Sequence, residues 1–313
     1  MSELKKIGAK DVLDKGGVGH DILNDPNVAH LVVHRSTVLG SNTVPGLHVD
    51  VEEIQDGINA KLTVDEGAKI QKPVHMCFGM LGETGIQRIE MHVHVKKGAE
   101  ISILAHCVFP NGVDLQHLMN ADIKIEDDAR YSYFERHVHG SKGGVKVVPK
   151  AKIHLGKRAR FSTEFELLKG RVGEIHVEYV THSQEDSVLE MTARINGKAD
   201  DIIDIKEIGH LEGDRARGVL NTRIAVRDQA TAEVYNRLTA SAAFARGHVD
   251  CKEIIRDQGR ATAIPIVEVN HPKAHITHEA AIGNVDTKQL ETLMSRGLDE
   301  DEASELIIEG LLS

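Results

Sequence analysis

Tryptophan is absent from these 313 residues, and aromatics together make up 3% of the chain. Sugar clefts and single-strand nucleic-acid platforms stack their ligands on exposed aromatic faces, so neither is expected, and the core must be aliphatic. Three cysteines, Cys77, Cys107 and Cys251, cannot form a disulfide framework in a chain of this size. No apolar run approaches the roughly 18 residues of a membrane span, and Met1 to Lys10 lacks the apolar core of a signal peptide. The expectation is a reduced, cytoplasmic protein. Positive charge is also short: Lys and Arg number 38 against 48 Asp and Glu, a net charge of -10. That balance argues against a dedicated nucleic-acid binder. A phosphate loop of the Gly-x-x-x-x-Gly-Lys-Ser/Thr type, a Gly-x-Ser-x-Gly elbow and a Cys-x-x-Cys pair are all missing. Gly140-Ser141-Lys142-Gly143-Gly144 reads as a corner loop as readily as a phosphate cradle.

What is present is a repeat. Asp65-Glu66-Gly67-Ala68, Lys96-Lys97-Gly98-Ala99, Glu126-Asp127-Asp128-Ala129 and Gly156-Lys157-Arg158-Ala159 follow one another at steps of about 30 residues, a period that signals a stacked architecture. Arg227-Asp228-Gln229 returns as Arg256-Asp257-Gln258. Short β-branched strands flank each polar turn, so the units read as coils of a β-solenoid rather than a helical array. A β-sandwich would share the alternation but does not require a constant step. Three regions follow: a helical and loop segment over 1–30, a β-helix core over 31–285, and a helical hairpin over 286–313. In the hairpin, Asp286 or Thr287 caps one helix and Gly297 ends it. Asp299 and Glu302 open the second as a capping box. Leu290, Leu293 and Met294 form the first apolar stripe, and Ala303, Leu306, Ile307 and Leu311 the second. So short a pair must pack on the solenoid, on a partner, or on both.

Two sets of residues carry candidate chemistry. Cys251 and Glu279 are separated by about one repeat, which predicts that they face each other on neighbouring coils. Thiolate and imidazole suit iron–sulfur clusters, zinc and copper(I), and a carboxylate can complete such a site. His278 and His248 are the neighbouring imidazoles. Strand parity turns His278 and Glu279 to opposite faces. The bland alternative is a cysteine acting as a small core hydrophobe and a solvated glutamate. The second set is His75, His106 and His137, stepping once per coil, with Cys77 and Cys107 beside the first two. It reads as a metal or proton-relay column or as an internal polar ladder. The uneven turn spacing predicts His137 one residue out of register, facing the other side.

Ala245-Arg246-Gly247-His248-Val249-Asp250-Cys251, Ala263-Ile264-Pro265-Ile266-Val267-Glu268-Val269 and Ala274-His275-Ile276-Thr277-His278-Glu279-Ala280, with the tail from Gln289 to Ala303, resemble the carboxy-terminal core of the SufB/SufD family of iron–sulfur cluster assembly proteins. The resemblance is strong over about 220–313. Upstream it thins to the repeat and to Glu135-Arg136-His137-Val138-His139-Gly140, which looks like the short members.

That resemblance implies a right-handed parallel β-helix and a scaffold that receives sulfur and iron. It implies an ABC-type ATPase docked on the closing helices through Leu290, Leu293, Leu306 and Ile307. It places Cys251 at the family's cluster or sulfur-handling cysteine, Glu279 at the carboxylate opposite, and His278 beside it. The chain is shorter than full-length scaffolds, and their additional upstream cysteine has only Cys107 as a nearest counterpart. A homodimer with two ATPase subunits, a sulfur donor and acceptor apoproteins are the implied partners, and a transient iron–sulfur cluster the implied cofactor. The expected role is a non-enzymatic assembly scaffold. Its rivals are an ATPase partner that holds no cluster and a β-helix carbohydrate enzyme.

Overall fold

The computed structural model describes residues 3–313, with side chains from Gly8 onward. Met1 and Ser2, where the predicted 1–30 segment starts, lie outside the described residues. The chain opens with α1 (Glu3–Lys15) and a 3-10 turn at His20–Leu23. Two hairpins follow: β1 (His30–His34) with β2 (Thr37–Asn42), and β3 (Leu47–Ile54) with β4 (Gly57–Val64). Then come β5 (Val74–Gly79), β6 (Thr84–Val95), β7 (Glu100–Phe109), β8 (Asp114–Ile125), β9 (Arg130–His139), β10 (Val145–Leu155), β11 (Arg160–Lys169) and β12 (Glu174–Ser183). The core closes with β13 (Val188–Gly197), β14 (Ile202–Leu211), β15 (Arg217–Val226), β16 (Thr231–Ala240), β17 (Arg246–Ile255), β18 (Arg260–Val269) and β19 (His275–Asn284), before α2 (Thr287–Met294) and α3 (Glu300–Leu312).

From β5 on, odd strands stack in parallel into one sheet and even strands into the other, giving a parallel β-solenoid of about eight turns. This is the expected fold class. Strands within the stack alternate inward, mostly aliphatic residues with outward, mostly polar ones. Along β10, Val145, Val147, Ala151, Ile153 and Leu155 are buried, while Lys146, Lys150, Lys152 and His154 are exposed. Facing strands of the two sheets meet across a lumen filled by one continuous aliphatic cluster. No described helix is long and apolar enough to cross a membrane.

The repeated tetrads form the corners. Their third residue is left-handed in every case: Gly67 (φ 70), Gly98 (φ 65), Asp128 (φ 61) and Arg158 (φ 58). Their alanines at 99, 129 and 159 are fully buried where the chain turns into the lumen. Backbone bonds then link corner to corner, as from Gly67 N to Lys97 O and from Gly98 N to Asp127 O, both 2.9 Å.

The solenoid's ends differ. At the start, the antiparallel hairpins end the stack, and α1 covers the outer face of the first coils through Ala9, Val12, Leu13, Val32 and Cys77. At the finish, β18 and β19 are the edges of the two sheets, and β19 is exposed along nearly its whole length.

The tail helices fold back rather than cover that end. Asp286 accepts from Gln289 N, and the Asp299–Glu302 capping box is complete. The buried face of α3 differs from the expected stripe. Ala303, Ser304, Ile308 and Leu312 are buried, with Ile308 and Leu312 packed on Ala225, Leu168 and Ile254 of the solenoid's outer wall. Leu306 is 47% exposed, and Ile307 and Leu311 are only partly buried. The helix is rotated about one position because its seat is a sheet wall, and Arg227–Glu305 and Arg256–Asp301 ion pairs fix that rotation.

Corner geometry sets the first prediction. A Cβ on Gly98 would meet nothing within 4 Å, so Gly98→Ala isolates the backbone cost, about 1–2 kcal/mol, and should lower the thermal midpoint. Ala99→Asp, placing an unpaired carboxylate at a fully buried site, should cost considerably more.

Candidate functional site

Cys251 lies on β17, one strand in from the open end. Alternation points it inward, and it is fully buried. Its register partners are Thr222 on β15 and Ala280 on β19. Across the lumen, Asn236 Nδ2 lies 3.6 Å from its Sγ. Turned by 180°, the same amide donates to Glu207 Oε2 and Tyr235 O, both at 3.3 Å. Glu253, two residues on and also buried, has neither carboxylate oxygen hydrogen-bonded. Burial raises the Cys251 thiol, and the charges of Glu253 and Glu207 push the same way. Burial also lifts Glu253 to about 7, against the opposing pull of Arg223, and Glu207 to about 8. The arrangement is a soft thiol with two carboxyl groups near it, all favouring their protonated forms.

The structure does not bring Cys251 and Glu279 together. Glu279 pairs in register with Asp250, and Cys251 with Ala280, so alternation puts the two on opposite faces. The spacing of 28 residues is one short of the local register step, and one residue is enough to reverse a strand side chain. Glu279 is 60% exposed and faces Lys252 Nζ at 3.6 Å. His278 is exposed and lies in register with the inward-facing Val249. His248 is on the outer face, its Nδ1 2.8 Å from Thr277 Oγ1.

The histidine steps also divide. His75 and His106 stack outside the lumen, ring centroids 6.0 Å apart and 11° from parallel. Burial, with His75 and Arg136 adding to it, holds His106 down at about 4. Cys77 packs beneath α1, where burial pushes its thiol up to about 12. His137 faces inward, in register with Cys107, as its offset predicted.

There it joins a buried group that sequence spacing did not assemble. Cys107 Sγ lies 3.7 Å from Glu135 Oε1 and 3.7 Å from His117 Nε2. His137 Nε2 is 2.8 Å from Glu135 Oε1, and His137 Nδ1 is 3.2 Å from His139 Nε2. Cys107, Glu135 and His137 are the one group among the described residues whose ligand atoms converge as a metal site would require. His117 comes from the opposite sheet, ten residues along the chain from Cys107, so no coil-to-coil spacing reveals it. Burial holds His117, His137 and His139 at about 3, hence neutral, and raises Glu135 and the Cys107 thiol.

A parallel β-solenoid carrying thiol, carboxyl and imidazole donors in its lumen is thus the class that fold and site define. The description "SUF system FeS cluster assembly, SufBD core domain" matches residues 80–311. An iron–sulfur cluster assembly SufBD family protein of Methanocaldococcus jannaschii is 36% identical over 282 residues, 90% of this chain and 89% of the relative. One of Pyrococcus horikoshii is 33% identical over 309 residues, 99% and 92% of the two chains. One of Archaeoglobus fulgidus is 25% identical over 247 residues, 79% and 66%. The chain belongs to the SufBD family, whose members take part in iron–sulfur cluster assembly.

The raised carboxyl of Glu207 gives a pH prediction. Between its ordinary value near 4.5 and about 8, Glu207 is protonated when folded and ionised when unfolded. Its contribution to stability is complete below that window and is lost as pH rises through it. Urea midpoints of Glu207→Gln relative to the parent should therefore improve from pH 5 to pH 8.5, by up to a few kcal/mol at the upper end.

Proposed function

We propose that this protein is a scaffold subunit for iron–sulfur cluster assembly, working with an ABC-type ATPase and carrying no catalytic activity by itself. Family membership supports the reading, and the Cys251 environment is the observation that carries it. A single soft donor stands one strand from an open solenoid end, with carboxyl and amide groups beside it that can exchange protons or ligands. Cys251 holds the sulfur or the cluster. Glu253 is the carboxyl on its own strand and face. His278 and Glu279, exposed on the edge strand, supply exchangeable donors when the open ends of two copies meet in a homodimer. A carboxylate oxygen binds a borderline metal less tightly than a thiolate, which suits a cargo that must leave for acceptor proteins.

The apolar face left by the rotation of α3 is the docking surface for the ATPase. Leu306 and Met294 are exposed, and Leu290, Leu293 and Ile307 are partly so. Because Leu306 supports no part of the solenoid, Leu306→Asp should abolish co-purification with the ATPase while leaving the circular dichroism spectrum and thermal midpoint unchanged. Retained binding would remove the helices from the interface.

The central test is iron and acid-labile sulfide per chain, after co-expression with the ATPase and purification without oxygen. The parent should hold both, and Cys251→Ala should lose the acid-labile sulfide together with the iron that accompanies it. Equal content in the two proteins would move the cluster elsewhere. No iron or sulfide in either, with the ATPase bound, would favour the one alternative with an observation behind it: an ATPase partner without a cluster, consistent with the separation of Cys251 and Glu279 within one chain.

A further inference from the structure

The hydrogen bonds around the buried group of Cys107 fix the orientation of its lone pairs. Arg171 O can only accept, so His139 Nδ1, 3.1 Å away, carries a proton. His139 Nε2 is then an acceptor, and His137 Nδ1 donates to it. His137 therefore presents a bare Nε2 to Glu135. On the opposite sheet, Gln87 Nε2 donates to Arg35 O at 2.8 Å, so Gln87 Oε1 faces His117 Nδ1 at 3.0 Å. His117 Nδ1 must donate, and its bare Nε2 faces Cys107 Sγ. Two imidazoles from opposite walls thus aim unprotonated nitrogens at one thiol and one carboxyl. Second-sphere partners of this kind, a carbonyl or amide oxygen holding the far ring nitrogen, are what orient histidines at metal centres.

We propose that Cys107, Glu135, His137 and His117 bind a single divalent transition-metal ion of borderline softness, zinc or ferrous iron, within the lumen. Tetrahedral bonds of about 2.0–2.3 Å put neighbouring donor atoms about 3.3–3.7 Å apart. The two sulfur contacts, both 3.7 Å, already have that separation. The 2.8 Å contact between Glu135 and His137 must open, by about half an ångström on that scale. His117, in contact with Cys107 but outside the group of donors that lie within 4.8 Å of one another, must swing toward the other two. The charge count closes as well. Without metal the set holds two protons, one on the thiol and one shared between Glu135 and His137. A divalent ion displaces both, and thiolate, carboxylate and two neutral imidazoles leave the site with no net charge. Glu135 Oε2 is buried without a hydrogen bond of normal geometry, a vacancy in the polar network that metal ligation of the carboxylate relieves.

This site is separate from that of Cys251. The register places Glu135, Phe165, Ala193, Thr222 and Cys251 in one inward column. Four strand spacings, about 19 Å, divide the two ends, with Phe165 and Ala193 between.

The test uses the full chain alone, expressed in cobalt-supplemented minimal medium without the ATPase, so it does not depend on cluster assembly. We expect one cobalt per chain by elemental analysis, with thiolate-to-cobalt charge-transfer absorption and the intense visible bands of a tetrahedral ion. Cys107→Ser should lose the charge-transfer band, and Glu135→Gln, nearly isosteric, should lose most of the metal. Cys251→Ser should keep both signals. Parallel zinc and anaerobic iron growths identify which ion the site retains. Absence of all three metals from the folded parent would overturn the proposal, as would cobalt that follows Cys251 instead of Cys107. The parent's own spectrum decides thiolate ligation should the Cys107 variant fail to fold.

Discussion

Parallel hydrogen bonding at a nearly constant step of about thirty residues is the constraint on which the rest of this structure depends. Once each strand is held in register with the one a coil earlier, every inward position becomes part of a column running along the lumen. A side chain's chemistry is then decided by its column and coil, more than by its neighbours in sequence. One residue of slip sends a group to solvent. Cys107 and Cys251 are inward because their strands keep phase. His106, beside Cys107 in sequence, is outside for the same reason.

The lumen is therefore a place where polar groups are costly and few. Most inward positions are valine, isoleucine, leucine or alanine, and two groups of donors interrupt them. The histidines of the first stay neutral because low polarity disfavours the imidazolium, and the carboxyl and thiol groups of both resist ionisation for the same reason. A bound cation reverses that preference, since it supplies the charge that water would otherwise screen. The apolar stretch between the two groups keeps their electrostatics apart, so each can respond to its own ligand.

Much of this was legible in the residues. The tetrads disclosed the coil length, and their third positions, with glycine at two of four, marked left-handed corners. The capping box at Asp299 announced a helix, and the start of α2 at Asp286 was equally plain. The offset of His137 could be read from the turn spacing. The opposition of Cys251 and Glu279 was harder to read, because a 28-residue spacing resembles a full coil and only the return of Arg227-Asp228-Gln229 as Arg256-Asp257-Gln258 discloses that the local step is one residue longer. The face of α3 was hidden because an apolar stripe does not say whether a helix will meet a sheet wall or a partner. The Cys107 group was hidden because it spans the lumen: His117 and Cys107 belong to different sheets, and only the closure of the coil brings them together.

The inequality of the two ends bears on how far such molecules can add to one another. At the amino-terminal end β2 lies against α1, and β3 carries Asp50, Glu52 and Glu53 within eight residues, charges that discourage another strand from pairing there. At the other end β18 carries Pro265, which cannot donate to a further strand, and β19 is the edge left uncovered. A solenoid receptive at both ends could add copies head to tail without limit, as fibres do. With one receptive end, edge-to-edge growth stops when two such ends have met, because the pair presents only blocked ends outward. An assembly made through that edge would be a closed, twofold one.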